Sequence, residues 1–239
     1  MLSTCFKNDT ILEIGIDEAG RGSFWGPIMA AAVIIPNEST WTDKQRILIT
    51  MFRDSKKISP KKREYIANGI KELIPKSAVG IVTAQEINEN GITWANMEAF
   101  RRAASAISIT HDELVSSRLI IDGVLQIEGW KGEQELIIDG DAKYLAIAGA
   151  SILAKVEHDK WIKNYCENNI ECNDKYDLLK SNGYGTMKHR EGIKTYGAHE
   201  LHRSLYIQNW LPNSTQIVKL RKKCTVNTNT NKCLINFKV

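Results

Sequence analysis

Apolar residues fall along this chain in two rhythms. Short runs bounded by turn residues read as strands, and longer stretches with apolar positions three and four apart read as helices. Leu12–Ile16 is the first short run, and Met29–Ile35, closed by Pro36, reads as its hairpin partner. Ser39–Phe52 has helical spacing. Ser59 followed by Pro60 is an N-cap with proline at the first helical position, opening a helix that reaches Ile74. Ala78–Val82 carries β-branched residues and reads as a strand, and Thr93–Ile109 as a helix with Met97, Phe100, Ala104 and Ile107 on one face. Leu119–Ile121 and Leu136–Ile138 are short buried strands that end at Asp122-Gly123 and Asp139-Gly140-Asp141. Leu145–Ile162 is a long helix, small and apolar at its start and charged at its end. Asn182–Gly185 is a turn ahead of a helix over Thr186–Tyr196. The alternation predicts an α/β layer fold, a mixed β-sheet flanked by helices, and no internal repeat is visible.

The first strand delivers two adjacent carboxylates, Asp17 and Glu18, straight into the turn Gly20-Arg21-Gly22. Carboxylates are hard oxygen ligands suited to Mg²⁺ or Mn²⁺. A glycine-rich turn lets backbone N–H groups approach a phosphate or sugar, and Arg21 adds a fork-shaped cation. Acids thus fall at three apolar strand ends: Asp17/Glu18, Asp122, and Asp139/Asp141. Each alone reads equally as a turn former or helix cap. Held together they would repel one another unless cations sat between them. Two divalent ions about 4 Å apart could then clamp the attacking and leaving oxygens of a phosphoryl displacement. The spacing Gly20-x-Gly22-x-x-x-Gly26 superficially resembles a dinucleotide fingerprint. That site needs a helix to start inside the turn, and the run ended by Pro36 is too short for one. Tyr184, between glycines, reads either as an exposed ring that stacks on a sugar or base or as a cover for the core edge. His189, His199 and His202 could orient water or cap helices; no cysteine has the spacing for a zinc site with them.

With 239 residues, 43% of them hydrophobic, the chain fits one domain of ordinary size with a small C-terminal appendage. The run Ile28–Ile35 is too short to span a membrane, and the first residues lack the apolar core of a signal peptide. Cys5, Cys166, Cys172, Cys224 and Cys233 are odd in number, with no Cys-x-x-Cys pair, which points to reduced thiols. A cytoplasmic protein without a membrane partner is expected. The net charge is +4, but the last 39 residues carry seven basic residues and no acid, so the first 200 sum to about −3. An acidic-leaning body with a basic tail suits a metal–carboxylate enzyme that grips nucleic acid. The Asn/Thr-rich stretch Thr225–Lys232 equally fits a solvated end.

Taken together, six ordered blocks resemble ribonuclease HII of the bacterial type, from about Leu12 to Ser204. They are Gly15-Ile-Asp-Glu-Ala-Gly-Arg-Gly22 with Gly26-Pro27 and Ala30–Ile34; Asp54-Ser55-Lys56-Lys57-Ile58-Ser59 with Arg63-Glu64; Leu119–Gly123; Gly140–Lys143 with Ala150–Lys155; Gly183-Tyr184-Gly185-Thr186 with His189; and His202-Arg203-Ser204. The related ribonuclease HIII usually has lysine in the glycine turn and an extra N-terminal domain; Arg21 and a first strand near residue 12 favour HII.

The resemblance implies the ribonuclease H-like fold, with residues 1–210 as the catalytic domain and 211–239 as a basic tail. It implies cleavage of the RNA strand of RNA–DNA hybrids, and a monomer is the default expectation. It also implies cutting 5′ to single ribonucleotides in duplex DNA, leaving 3′-hydroxyl and 5′-phosphate ends. Asp17, Glu18, Asp122 and Asp141 would hold two Mg²⁺ or Mn²⁺ ions. Gly20, Arg21 and Gly22 would read the ribose 2′-hydroxyl, Tyr184 would stack on the next deoxyribose, and Ser55 and Lys56 would hold phosphates.

The chain departs from the family pattern in several places. Asp139 stands where lysine is usual, and Gly91 where asparagine is common. His158 replaces an arginine, and Ser23-Phe24-Trp25 replaces smaller residues, placing a bulky aromatic near the substrate groove. A second reading, a catalytically weak binder of ribonucleotide-containing duplexes, rests on Asp139 and Trp25.

Overall fold

The computed structural model describes residues 2–211; the basic tail over 212–239, with Cys224 and Cys233, lies outside the described residues. Strands β1 (Glu13–Ala19), β2 (Ile28–Val33), β3 (Ser77–Val82), β4 (Arg118–Asp122) and β5 (Glu133–Ile137) form one sheet in the order β3-β2-β1-β4-β5. β2 runs antiparallel to β1 and β3, whereas β4 and β5 run parallel to β1, so the sheet is mixed as the alternation predicts. The helices are α1 (Asp43–Ile49), α2 (Pro60–Leu73), α3 (Ala84–Asn90), α4 (Ile92–Ser105), α5 (His111–Val115), α6 (Leu145–Asn168), α7 (Ile170–Tyr176), α8 (Leu178–Ser181), α9 (Met187–Tyr196) and α10 (Ser204–Ile207).

Both faces of the central strands are covered, which is why Ile28–Val33 is a continuous apolar run rather than an alternating one. On one face α6, α2 and the segment after α1 pack Ile152, Ile66, Ile70 and Phe52 against Ala31 and Val33. On the other, α4 packs Ala95, Ala99, Phe100 and Ala103 against Ile14, Ile16 and Ala30. Small side chains let α6 approach closely. A Cβ on Gly15 would overlap the backbone of Ala146, so only glycine fits under the start of that helix.

The structure redraws several expected boundaries. β1 runs on to Ala19, so Asp17 and Glu18 lie inside the strand instead of following it. The expected helix over Thr93–Ile109 starts at Ile92 and stops at Ser105, and a separate α3 precedes it, opened by a Thr83/Glu86 capping box. Gly91 separates the two helices. The 39–52 stretch becomes a short 3-10 turn followed by α1, capped by Thr42.

Helices α7–α10 pack on the C-terminal half of α6 around a third apolar cluster of Ile162, Cys166, Tyr176, Leu178, Ile193 and Ile207. Trp25 is the centre of that cluster and is fully buried. The expectation of a bulky aromatic near a substrate groove is therefore wrong for Trp25. Its indole packs edge-on to Tyr165 at 4.9 Å between centroids, in the interior of the C-terminal part. The segment around it is laced to the C-terminal residues: Phe24 and Trp25 N–H donate to the Gly183 carbonyl at 2.8 and 3.2 Å, and Arg203 N–H donates to the Phe24 carbonyl at 2.8 Å. Among the described residues, no helix is long and apolar enough to cross a membrane.

Candidate active site

β1 and β4 pair in parallel with Ile16 beside Ile121, so one step further along the strands brings Asp17 beside Asp122. Side chains alternate across a strand. Asp17 accordingly meets Ser151 of α6, and Glu18 meets Asn96 of α4. At the strand ends the two carboxyls nevertheless open into one pocket of about 370 Å³. Its walls include Asp17, Glu18, Asp122, the Gly20-Arg21-Gly22 turn, Ser55, Lys56 and Tyr184. The fourth expected acid, Asp141, is not in the wall itself. It is buried in the 3-10 turn Gly140–Ala142, close enough to Asp122 for the charge of Asp122 to raise its carboxyl. Asp139 is exposed, with a left-handed backbone (φ 54°).

All four carboxyls are pushed above the ordinary carboxylate range, first by burial. For Asp17 the rise is large, and the charges of Glu18 and Asp122 add to it. For Glu18, Arg21 opposes the rise and Asp122 adds to it. Asp122 accepts the Gly140 N–H at 2.7 Å, and this bond together with Lys56 holds it down. Asp141 is raised further by Asp122 and Asp54 and lowered by Lys56. Crowded, buried, hard oxygen donors of one sign need positive charge among them, and protons or small divalent cations can supply it. No three of the described acidic, histidine or cysteine side chains already close into a coordination shell, so the acids line an open cradle.

Two loops complete the walls. Gly20 (φ +82°) turns the chain at the end of β1, and Ser23 N–H donates back to its carbonyl at 3.1 Å. Arg21 is exposed at the rim. On the other side, Asp54 caps the turn Ser55–Lys57 by accepting the Lys56 N–H at 2.9 Å. Ser55 is buried there, its hydroxyl accepting from Ser151 at 3.0 Å. Tyr184 is half-buried, and Lys155 Nζ lies 5.3 Å from its ring centroid. Half of the ring lines the pocket and half is covered, so it lies between the exposed stacking ring and the core-edge cover that the sequence allows. His189, His199 and His202 lie behind Tyr184, in the C-terminal part.

Sequence reasoning gave no role to Arg63, Ser151 and Lys155, which stand in its resemblance blocks and also line the pocket, and it missed Asn96 beneath Glu18. Ser151 and Lys155 were recoverable as an i, i+4 pair on one face of the long helix. Arg63 donates to the Ser55 and Ile58 carbonyls at 2.9 Å each and so fixes the Lys56 turn. Nothing in its local sequence announces that role. Asn96 is fully buried, and neither of its amide atoms has a hydrogen-bond partner of standard length among the described residues.

The family model for Ribonuclease HII matches residues 14–209. The chain belongs to the ribonuclease HII family. Ribonuclease HII of Prochlorococcus marinus (strain AS9601) is 36% identical over 200 residues, covering 83% of this chain and 90% of that protein. Ribonuclease HII of Clostridium perfringens (strain 13 / Type A) is 39% identical over 197 residues, covering 82% and 67%. Among solved structures, ribonuclease H2 from Pyrococcus horikoshii OT3 shares the fold with a TM-score of 0.64 at 22% identity, covering 85% of this chain and 99% of that one. Bst-RNase HIII, solved in complex with Mn²⁺, has a TM-score of 0.61 at 18% identity, covering 86% and 71%. Membership makes the protein a ribonuclease H-type endonuclease, with the pocket at the end of β1 as its candidate active site.

Proposed function

We propose that this endonuclease cleaves the RNA strand of RNA–DNA hybrids and cuts duplex DNA on the 5′ side of a single embedded ribonucleotide, leaving 3′-hydroxyl and 5′-phosphate ends. The observation that carries the reading is the shared pocket: three strand-borne acids, a glycine turn and a tyrosine line one space of about 370 Å³. Asp17, Glu18, Asp122 and Asp141 are the residues that would hold two Mg²⁺ or Mn²⁺ ions. When bound, such ions supply the Lewis acidity that phosphodiester hydrolysis requires.

The chain's own groups then have separate tasks. Lys56 and Arg21 place positive charge at the rim, where phosphates on either side of the scissile bond would pass. The backbone of Gly20-Arg21-Gly22 offers N–H groups to a 2′-hydroxyl, the group that distinguishes RNA from DNA at one sugar. Tyr184 covers the neighbouring sugar, where a second 2′-hydroxyl would crowd its ring. Ser55 is buried against Ser151 and presents its turn rather than a free hydroxyl. On this reading the protein acts as a monomer in the cytoplasm.

The test is cleavage of an end-labelled DNA duplex containing one ribonucleotide, with Mg²⁺, with Mn²⁺ and with EDTA. A single cut 5′ to the ribonucleotide, lost with EDTA, is expected. Tight binding with no cut under any metal would instead favour the weak-binder reading.

A further inference from the structure

We propose that the consecutive residues His202 and Arg203 are positioning residues that together set the gap between the Gly20–Gly22 turn and Tyr184, and through it the preference for a lone ribonucleotide. The inference rests on the reading just given, in which the turn reads one sugar and Tyr184 covers the next.

Arg203 holds the first wall. Its guanidinium is fully buried and forms no ion pair among the described residues. Its donors go to three main-chain carbonyls: Nη1 to Arg21 at 2.9 Å, Nε to Gly26 at 3.0 Å and Nη2 to Pro27 at 2.8 Å. Desolvating a buried cation is costly, and three charge-assisted bonds offset that cost. The arrangement is stable only while those carbonyls stay where they are, so the turn is fixed from behind.

His202 holds the second wall through His189. The Nε2 atoms of the two rings are 3.0 Å apart. His189 Nδ1 lies 3.0 Å from the Tyr184 carbonyl, which can only accept. His202 Nδ1 accepts the His199 N–H at 2.7 Å. These end conditions fix both tautomers. His189 carries its proton on Nδ1 and His202 on Nε2, giving one continuous line from His199 N–H through both rings to the Tyr184 carbonyl. A second proton on either ring would set two donors face to face, so both rings are neutral in this arrangement.

The two walls nearly touch. A Cβ placed on Gly22 would lie 3.7 Å from Tyr184 Cε1, an ordinary van der Waals contact. Neighbouring residues on one short segment thus anchor opposite sides of a gap one contact wide.

The experiment compares kcat/KM on a duplex with one ribonucleotide against kcat/KM on a long RNA–DNA hybrid, using the full chain. His189→Asn keeps a donor where Nδ1 sits; His189→Gln places its amide where Nε2 sits and loses the bond to Tyr184. The ratio is expected to fall about tenfold in His189→Gln and to return close to wild type in His189→Asn, at matched thermal stability. An unchanged ratio in His189→Gln while Tyr184→Ala lowers it would overturn the positioning role and leave the Tyr184 reading standing. An unchanged ratio in Tyr184→Ala would overturn both. Should the histidine variants not fold, ¹⁵N spectra of the wild-type imidazoles decide: the opposite tautomer at either ring removes the proposal, and the stated pair supports it.

Discussion

The imidazole of His158 lies directly beneath the α-carbon of Gly20, in the space any side chain at position 20 would occupy. The glycine turn therefore rests on α6, and its shape is set by a buried ring as much as by its own sequence. Gly20→Ala meets two penalties, a left-handed backbone at φ +82° costing about 1–2 kcal/mol and overlap with that ring. Cleavage is expected to fall at least about 100-fold, with a lower melting temperature. The double variant Gly20→Ala/His158→Ala should regain part of the melting temperature, and calorimetry of both checks the pairing.

Asp17→Asn should abolish cleavage while raising stability in EDTA. The carboxyl of Asp17 is held well above its ordinary range by burial and by Glu18 and Asp122. A group raised in the folded state contributes its stability below the unfolded pKa and loses it as pH rises through the folded pKa. In EDTA, the advantage of Asp17→Asn over wild type should therefore grow from about pH 4 upward, by up to about 1.4 kcal/mol per pH unit. Adding Mg²⁺ should raise the wild-type melting temperature more than that of the variant. A pH series of thermal melts with both additives reads all of this.

Asp141 and Asp139 should separate cleanly. Asp141 is buried beside Asp122, whereas Asp139 is exposed and forms the left-handed entry to the same 3-10 turn. Asp141→Asn should cost about 100-fold in kcat, and Asp139→Asn less than about threefold. Single-turnover cleavage at saturating enzyme distinguishes the two.

Acid should unfold the C-terminal part through its histidines. His202 is pushed down to about 3, first by burial and then by His189 and His199. A lowered histidine contributes stability that is full above its unfolded value near 6.5 and is lost as pH falls towards the folded value. Denaturant unfolding between pH 6.5 and 4 should show wild-type stability falling more steeply than that of His202→Gln, by up to about 1.4 kcal/mol per pH unit.

Much of the sheet and its acids could be read from the chain because β1 and β4 announce themselves locally, as a short apolar run that meets a carboxylate and then a glycine. The same locality explains what was missed. Helices α7, α8 and α10 are short, and their apolar faces are completed by Trp25, more than 140 residues away. Before the fold is known, Trp25 reads as an intruder in a groove; in the structure it is the core those helices need. Arg63 and Arg203 hold the two loops of the site by donating to carbonyls. Every residue has a carbonyl, so such a partnership leaves no pattern in the sequence. Glu18 and Asp122 needed no such help, because the strand that carries each also aims it.

Asp17 and Glu18 are adjacent, yet one meets α6 and the other α4, and β1 is hydrogen-bonded on both sides. The site is therefore tied to the parity of its strand. Deleting Ile16 would hand the α6 side to Glu18 and the α4 side to Ala19, leaving every acid present in the sequence and none in its former place on β1. Length changes in loops away from the pocket leave that parity intact, but along β1 the chemistry counts residues in twos.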